Sequence, residues 1–351
     1  SGSQRDQSEA IRLLESRVPR TAADAEMLAE LYHKRGRLIQ AFNAYRESLR
    51  LEVPPAGRLI RFLDFWNEAY APDGTYRPIA DQYLGELAND RDSASEWLRL
   101  SLQRLEREAS SAEAAKAMDE GTTKQSANAV LDRFMATFVE DLDETVASQS
   151  ATQLFMGLAD SERLDLIEET IDRLGAAGVK PDAIANAIAR VLLRLADQAD
   201  AVDAREALIR TIRGIGPAND ISTKTLTLMG DALYVSGVTE MSLKYYREAI
   251  AREPEAVDAI NNLAIVLAER DKSDDEAPAL AQRVVELEPN NPDRRDTKLV
   301  VSMLQEDWPL AESVASRLRE EYSPTILLHR AYLALEQRRL AEAEELLARC
   351  R

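Results

Sequence analysis

The 351-residue chain has one cysteine and two histidines. Cys350 has no partner for an internal disulfide. Three potential nitrogen or sulfur ligands cannot furnish two tetrahedral zinc sites. Aromatic residues make up 5% of the chain, and much of the apolar content is Ala and Leu, which suits closely packed helices better than a β-rich core. Positive charge is scarce: 44 Lys and Arg face 62 Asp and Glu, a formal charge of −18. Nucleic-acid backbones need a positive surface, so the balance argues against such a partner. No run approaches the roughly 18 apolar residues of a membrane span, so no membrane insertion is expected. Ser1-Gly2-Ser3-Gln4 offers neither a cationic start nor an apolar stretch of a signal peptide. Ser1-Gly2 reads as a cloning remnant and the helical run 341–351 stops uncapped, so both ends read as cuts in a longer protein. A soluble segment is expected, with the cytoplasm favoured.

What the chain does have is a 45% hydrophobic content, enough to fold, arranged with helical periodicity almost throughout. Breakers recur at intervals, among them Pro54-Pro55, Pro72-Asp73-Gly74, Asp119-Glu120-Gly121, Gly214-Ile215-Gly216-Pro217, Pro254, Pro289 and Pro324. Regular breakers between short helices point to internal repeats. One frame opens at Thr223, with Leu226, Met229 and Leu233 on a first helix and Ser242, Tyr246 and Ala249 on a second that ends at Pro254. The next opens at Val257, with Ile260, Leu263, Ala264 and Leu267, then Ala277, Ala281 and Val284, ending at Pro289. Leu299, Ala311, Ala315 and Leu318 form a third frame. Leu327, Ala331, Ala334, Ala343, Leu347 and Cys350 form a fourth. Near the start, Leu28, Ala29, Tyr32, Ala41, Tyr45 and Ser48 repeat the pattern around Gly36. Antiparallel helices this close need small residues where they cross, so Ala29 and Gly230 are expected to face Ala41 and Ser242.

Between 56 and 220 the chain is helical without a clean period. Residues 61–66 and 75–88 read as a pair, and 96–106 with 112–118 as another. Residues 123–147 read as one long amphipathic helix and 162–174 as a helix stopped by Gly175-Ala176-Ala177-Gly178. The segment 117–124 reads as a flexible link.

These frames resemble the tetratricopeptide repeat, a helix-turn-helix unit of about 34 residues. The resemblance is clear over 22–55 and 223–291 and divergent elsewhere. The family's early Trp is missing, with Ala25, Leu226, Ile260 and Leu327 in comparable places, and its eighth-position Gly survives only as Gly230. The resemblance implies an all-α solenoid of stacked antiparallel helix pairs wound into a right-handed superhelix. Three continuous parts are expected: helical repeats over 1–120, divergent repeats over 121–220 and tetratricopeptide-like repeats over 221–351.

Chemistry-bearing patterns are thin. His33 and His329 have no Ser or Cys partner in sequence. Gly214-Ile215-Gly216-Pro217 is a helix stop and follows no strand. Asp271-Lys272-Ser273-Asp274-Asp275-Glu276 lacks the glycine and terminal glutamate spacing of a calcium loop and reads as a solvated turn before a helix. No metal or other cofactor is called for, and no catalytic constellation appears.

In the family register the first helices line the concave side, a long surface of many shallow contacts. The expected protein-binding residues are Glu30, His33 and Lys34, then Lys224, Thr227, Asp231 and Tyr234, then Asn261 and Ile265. Ala23, Glu26, Val235, Asp258, Ala268 and Glu269 are expected beside them, and Val300, Met303, Leu304, Leu328 and Tyr332 further on. Some family members grip a terminal carboxylate with Lys, Asn and Arg on consecutive first helices. Thr227, Asp231, Asn261, Ile265 and Asp296 do not reproduce that set, so a basic or amphipathic peptide fits better than an acidic one. The reading is a non-catalytic protein-interaction scaffold. A structural spacer or oligomerisation segment, and a helical-repeat enzyme, are the alternatives.

Overall fold

The computed structural model describes residues 4–70, 77–109, 120–139, 144–318 and 323–350. All regular elements among them are helical: nineteen α-helices and two short 3-10 turns. The chain divides into two compact units, Ser1–Ile184 and Ala185–Arg351, with the division inside one helix.

The first unit runs α1 (Gln4–Ser16), α2 (Ala22–Lys34), α3 (Leu38–Leu51), α4 (Ala56–Ala69), α5 (Arg77–Leu87), α6 (Ala94–Ala109), α7 (Glu120–Phe138), α8 (Glu144–Asp160) and α9 (Ile167–Ala176), and α10 (Pro181–Leu195) carries the chain across the division. α2 starts where Thr21 and Asp24 close a reciprocal capping box, each side chain taking the other's backbone N–H. α2 then packs on α3, α4 on α5 and α6, and α6 on α7 and α8. Phe62, Phe65, Trp66 and Trp97 are fully buried there.

The second unit continues with α11 (Val202–Ile215), α12 (Thr223–Val235), α13 (Thr239–Arg252), α14 (Val257–Arg270), α15 (Glu276–Leu287), α16 (Pro292–Leu304), α17 (Trp308–Ser316), α18 (Pro324–Glu336) and α19 (Leu340–Arg349). Ser222 caps α12, Asn291 caps α16 and Asp307 caps α17, the last two ahead of prolines that tolerate the first helical turn. α12 pairs with α13, α14 with α15, α16 with α17 and α18 with α19, while α12, α14, α16 and α18 also touch in succession. This is the stacked antiparallel helix-pair architecture that the repeat frames predict.

One turn geometry recurs in both units. Gly36, Gly178 and Gly237 have positive φ, and so do Glu162, Glu306 and Arg338. In all six turns the next residue's N–H reaches back to a carbonyl five positions earlier, as in Arg37 to Tyr32, Val238 to Leu233 and Arg339 to Ala334. This closure satisfies carbonyls that a helix end leaves open. Three of the six positions are not glycine, so those turns carry no signal in the sequence.

Several sequence expectations need correction. Gly230 is small because of Tyr246, not Ser242: a Cβ there would sit 2.6 Å from the Tyr246 ring. Residues 123–147 are not one helix, since α7 ends at Phe138 and α8 begins at Glu144. Glu162 is the left-handed centre of a turn, and α9 begins only at Ile167. Helix α7 already includes Gly121, Thr122 and Thr123, and the rest of the expected link, 117–119, lies outside the described residues, as do 112–118 and Pro72-Asp73-Gly74. In the last pair Leu346 is buried and Leu347 is 39% exposed.

Two substitutions test this packing. Gly230→Ala forces its methyl into a buried ring and is expected to destabilise the protein by about 2 kcal/mol. Arg338→Gly relieves a left-handed non-glycine residue and is expected to stabilise it by about 1 kcal/mol. Urea unfolding followed by far-UV circular dichroism reads both, as a lowered and a raised midpoint respectively.

Candidate functional site

The helix stacking decides which side chains remain open. In α14, Ala259, Ile260, Asn261, Leu263, Ala264, Val266, Leu267 and Ala268 are buried. Asp258, Asn262, Ile265 and Glu269 are left uncovered, at the i, i+4, i+7, i+11 spacing of one helix face. α12 leaves the equivalent stripe of Lys224, Leu228, Asp231 and Val235. α2 leaves Ala23, Met27, Glu30 and Lys34.

Several expected contact residues therefore move. Thr227 and Asn261 are 8% exposed, on the edge of the stripe where the neighbouring helix packs. Ala268 is fully buried, and Met303 belongs to the core formed by Leu299, Ala311, Val314, Leu318 and Ile326. Met27, Leu228 and Asn262 are the uncovered residues of these stripes that the sequence reading missed. Each is one position from an expected one, a rotation of about 100° around the helix.

Residues of α10, α12 and α14 in the second unit build one open groove of about 490 Å³. Asn186 and Arg190 come from α10, Lys224, Thr227 and Asp231 from α12, and Asp258 and Asn262 from α14. Glu253 and Glu255, on the turn before α14, complete its rim. The groove is held from below. Arg190 Nε donates to Asn186 Oδ1 at 2.7 Å, and Asn186 Nδ2 donates to Thr225 Oγ1 at 3.3 Å. Tyr246 donates its hydroxyl to Asp231 Oδ1 at 2.8 Å, and Asn262 Nδ2 donates to the same oxygen at 2.7 Å. Asp258 accepts from Arg294 at 2.6 Å.

Burial raises the Asp231 carboxyl above its ordinary value, against the lowering effect of the bonds from Tyr246 and Asn262, and the Asp258 charge adds to the rise. Tyr234 donates its hydroxyl to Glu269, and burial together with that carboxylate pushes it up to about 12. Of the expected residues, Lys224, Thr227 and Asp231 thus meet in the groove. Tyr234, Asn261 and Ile265 do not line it.

Glu30, His33 and Lys34 lie in the first unit. His33 Nε2 stands 3.3 Å from Glu68 Oε2, with its ring edge-on to Phe65 at 4.9 Å. Glu26, expected to face inward, is buried and accepts from both Arg58 and Arg61. Its burial pushes the carboxyl up, and the bonds and charges of the two arginines reverse that to a net lowering. His329 Nδ1 lies 2.8 Å from Asp296 Oδ2, a partner 33 residues away. The acidic turn organises its own backbone: Asp271 accepts from Ser273, and Asp274 from the N–H groups of Glu276 and Ala277. Among the described residues no group of three or more His, Cys, Asp or Glu could hold a metal ion, and no helix is long and apolar enough to cross a membrane.

The raised Asp231 value has a definite sign. Folding favours its protonated form, so its contribution to stability is fully present below the unfolded value near 3.8 and is lost as pH rises through the folded value. Asp231→Asn keeps the oxygen that receives both donors and removes the buried charge. The variant is expected to be more stable than the parent at pH 7, with the difference vanishing near pH 3. Denaturant unfolding at the two pH values checks this.

No protein-family model and no curated protein matches the sequence. Among solved structures the chain is similar to yeast Tom70, at 13% identity over 99% of this chain and 81% of that one, with a TM-score of 0.37. It is similar to the human IFIT1 dimer with m7Gppp-AAAA, at 12% identity over 100% and 82%, with a TM-score of 0.40. It is also similar to the APC/C hetero-tetramer Cut9-Hcn1, at 13% identity over 99% and 76%, with a TM-score of 0.35. By its own helix pairing, the chain is an all-α stack of antiparallel helix pairs.

Proposed function

We propose that this protein is a non-catalytic scaffold that receives a basic or amphipathic peptide segment in the groove of α10, α12 and α14. The observation that supports this most is the convergence of α10, α12 and α14 on one open groove with both polar and apolar lining. Its carboxylates, Asp231, Glu253, Glu255 and Asp258, outnumber its cations, Arg190 and Lys224. Glu253, Glu255 and Asp258 stand exposed at the rim, where charge steers encounter and selects partners. Thr227 and Leu228 supply apolar surface on the α12 wall. Tyr246 and Asn262 hold Asp231 in place before a partner arrives, so little ordering is left for binding to accomplish. The shallow, open form suits an extended segment better than a small substrate that must be enclosed.

Fluorescence anisotropy with a labelled peptide of alternating Lys and Leu tests the reading. Binding is expected, falling as salt rises, and Glu253→Lys combined with Glu255→Lys is expected to weaken it roughly tenfold. Equal affinity for parent and double variant would place the contact elsewhere. Absence of binding at any salt would favour the spacer reading.

A further inference from the structure

Away from that groove, the first unit carries an open cleft of about 540 Å³ between α3 and α5. Its α3 wall presents Arg46 and Arg50, one helical turn apart and therefore on one face. Several arginines elsewhere in this unit are tied to carboxylates: Arg58 to Glu26 and Glu52, Arg99 to Asp64 and Glu96, Arg20 to Glu47. Neither Arg46 nor Arg50 has such a carboxylate partner among the described residues. Arg46 is instead half-buried with its guanidinium 5.6 Å from the Phe42 ring centroid, which restricts its orientation. Of the two carboxylates at the cleft, Glu52 is already held by Arg58 at 2.6 Å, and Glu86 accepts from Gln82 at 2.9 Å.

The rest of the lining is apolar. Val53 is 93% exposed, and Pro54 behind it restricts its backbone to extended forms. Leu49 and Tyr83 form the floor and Ile79 the opposite wall. Two positive forks beside an aliphatic shelf are an unusual feature in a chain of charge −18. A guanidinium matches a carboxylate through two parallel hydrogen bonds, and the shelf matches a neighbouring aliphatic side chain.

We infer that the α3–α5 cleft is a second binding site, for a peptide segment bearing carboxylates next to aliphatic side chains. The inference stands independently of the groove in the second unit, and its ligand has the opposite charge. A free anion would use the arginines alone. A peptide uses the shelf as well, and the exposed Val53 is what favours the peptide.

The test uses the full chain and a labelled, end-blocked peptide of alternating Glu and Leu, followed by fluorescence anisotropy. The parent is expected to bind it, and Arg46→Glu with Arg50→Glu is expected to weaken binding at least tenfold. Glu86→Gln removes the remaining unneutralised acid from the cleft and is expected to tighten binding several-fold, a gain that misfolding cannot produce. Glu253→Lys with Glu255→Lys, in the other unit, is expected to leave this affinity unchanged. Inorganic phosphate and a peptide of alternating Glu and Ser serve as competitors, and both are expected to displace the probe poorly. Equal binding by the arginine double variant would overturn the site. Equal competition by phosphate would overturn the peptide assignment, and no change with Glu86→Gln would overturn the charge argument.

Discussion

A pair of helices 13 and 14 residues long, such as α12 and α13, has too little interior to be stable alone and must bury a second face against the next pair. Close approach makes this work. Ala264, Ala281, Ala331 and Ala343 are at most 1% exposed, and at Gly230 even a methyl group would collide with Tyr246. Small side chains let paired backbones come near enough for Leu226, Leu233 and Leu263 to fill the space around them. The same demand fixes what is left over. A first helix packed on its partner and on its neighbours keeps one stripe free, four positions in twelve residues, and the candidate groove draws on those stripes of α12 and α14.

Polar contacts then link successive repeats. Asp231 and Asn262 are 31 residues apart, Tyr234 and Glu269 35, Asp258 and Arg294 36, and Asp296 and His329 33. The first unit has counterparts in Glu26 with Arg58 at 32 and Asp64 with Arg99 at 35. Each separation is close to one repeat, so side chains at similar heights on neighbouring helices meet. Singly, exposed pairs of this kind contribute about 1 kcal/mol or less. The buried Glu26 differs, because removing either arginine would leave a partly desolvated carboxylate short of a donor. These contacts set alignment between neighbours more than they add stability.

The pattern of Leu, Ala and Tyr at helical spacing made the pairs α2–α3, α12–α13, α14–α15 and α18–α19 legible, because packing in them depends on residue type at fixed intervals. Turns were legible where glycine supplies positive φ, at Gly36 and Gly237. They were silent at Glu306 and Arg338, where the same backbone is held against the preference of the side chain. In the groove, Lys224, Thr227 and Asp231 could be brought together because they lie at i, i+3 and i+7 along α12. Asn262 was missed in favour of Asn261 because both are polar and adjacent, and only the packing of α14 against its neighbours shows which is covered. Asn186 and Arg190 were missed for another reason. α10 lies where the period is unclear, and membership of a groove is a tertiary fact that spacing within one helix does not contain.

Net charge turns out to be a poor guide to the surface of such a protein. The −18 total is averaged over residues some of whose charges are committed to neighbouring repeats, as with Glu26 and Asp64. What a partner meets is the remainder after that pairing. Around α12 and α14 the remainder is acidic, because Glu253 and Glu255 stand exposed on a turn where Arg283 donates to the Pro254 carbonyl and to neither carboxylate. On α3 it is basic, because Glu52 turns toward Arg58 and leaves Arg46 and Arg50 facing the cleft. Repeats built on one scaffold can thus present surfaces of opposite sign. The sign at each site is decided by which charges the stacking contacts take up, not by the composition of the chain.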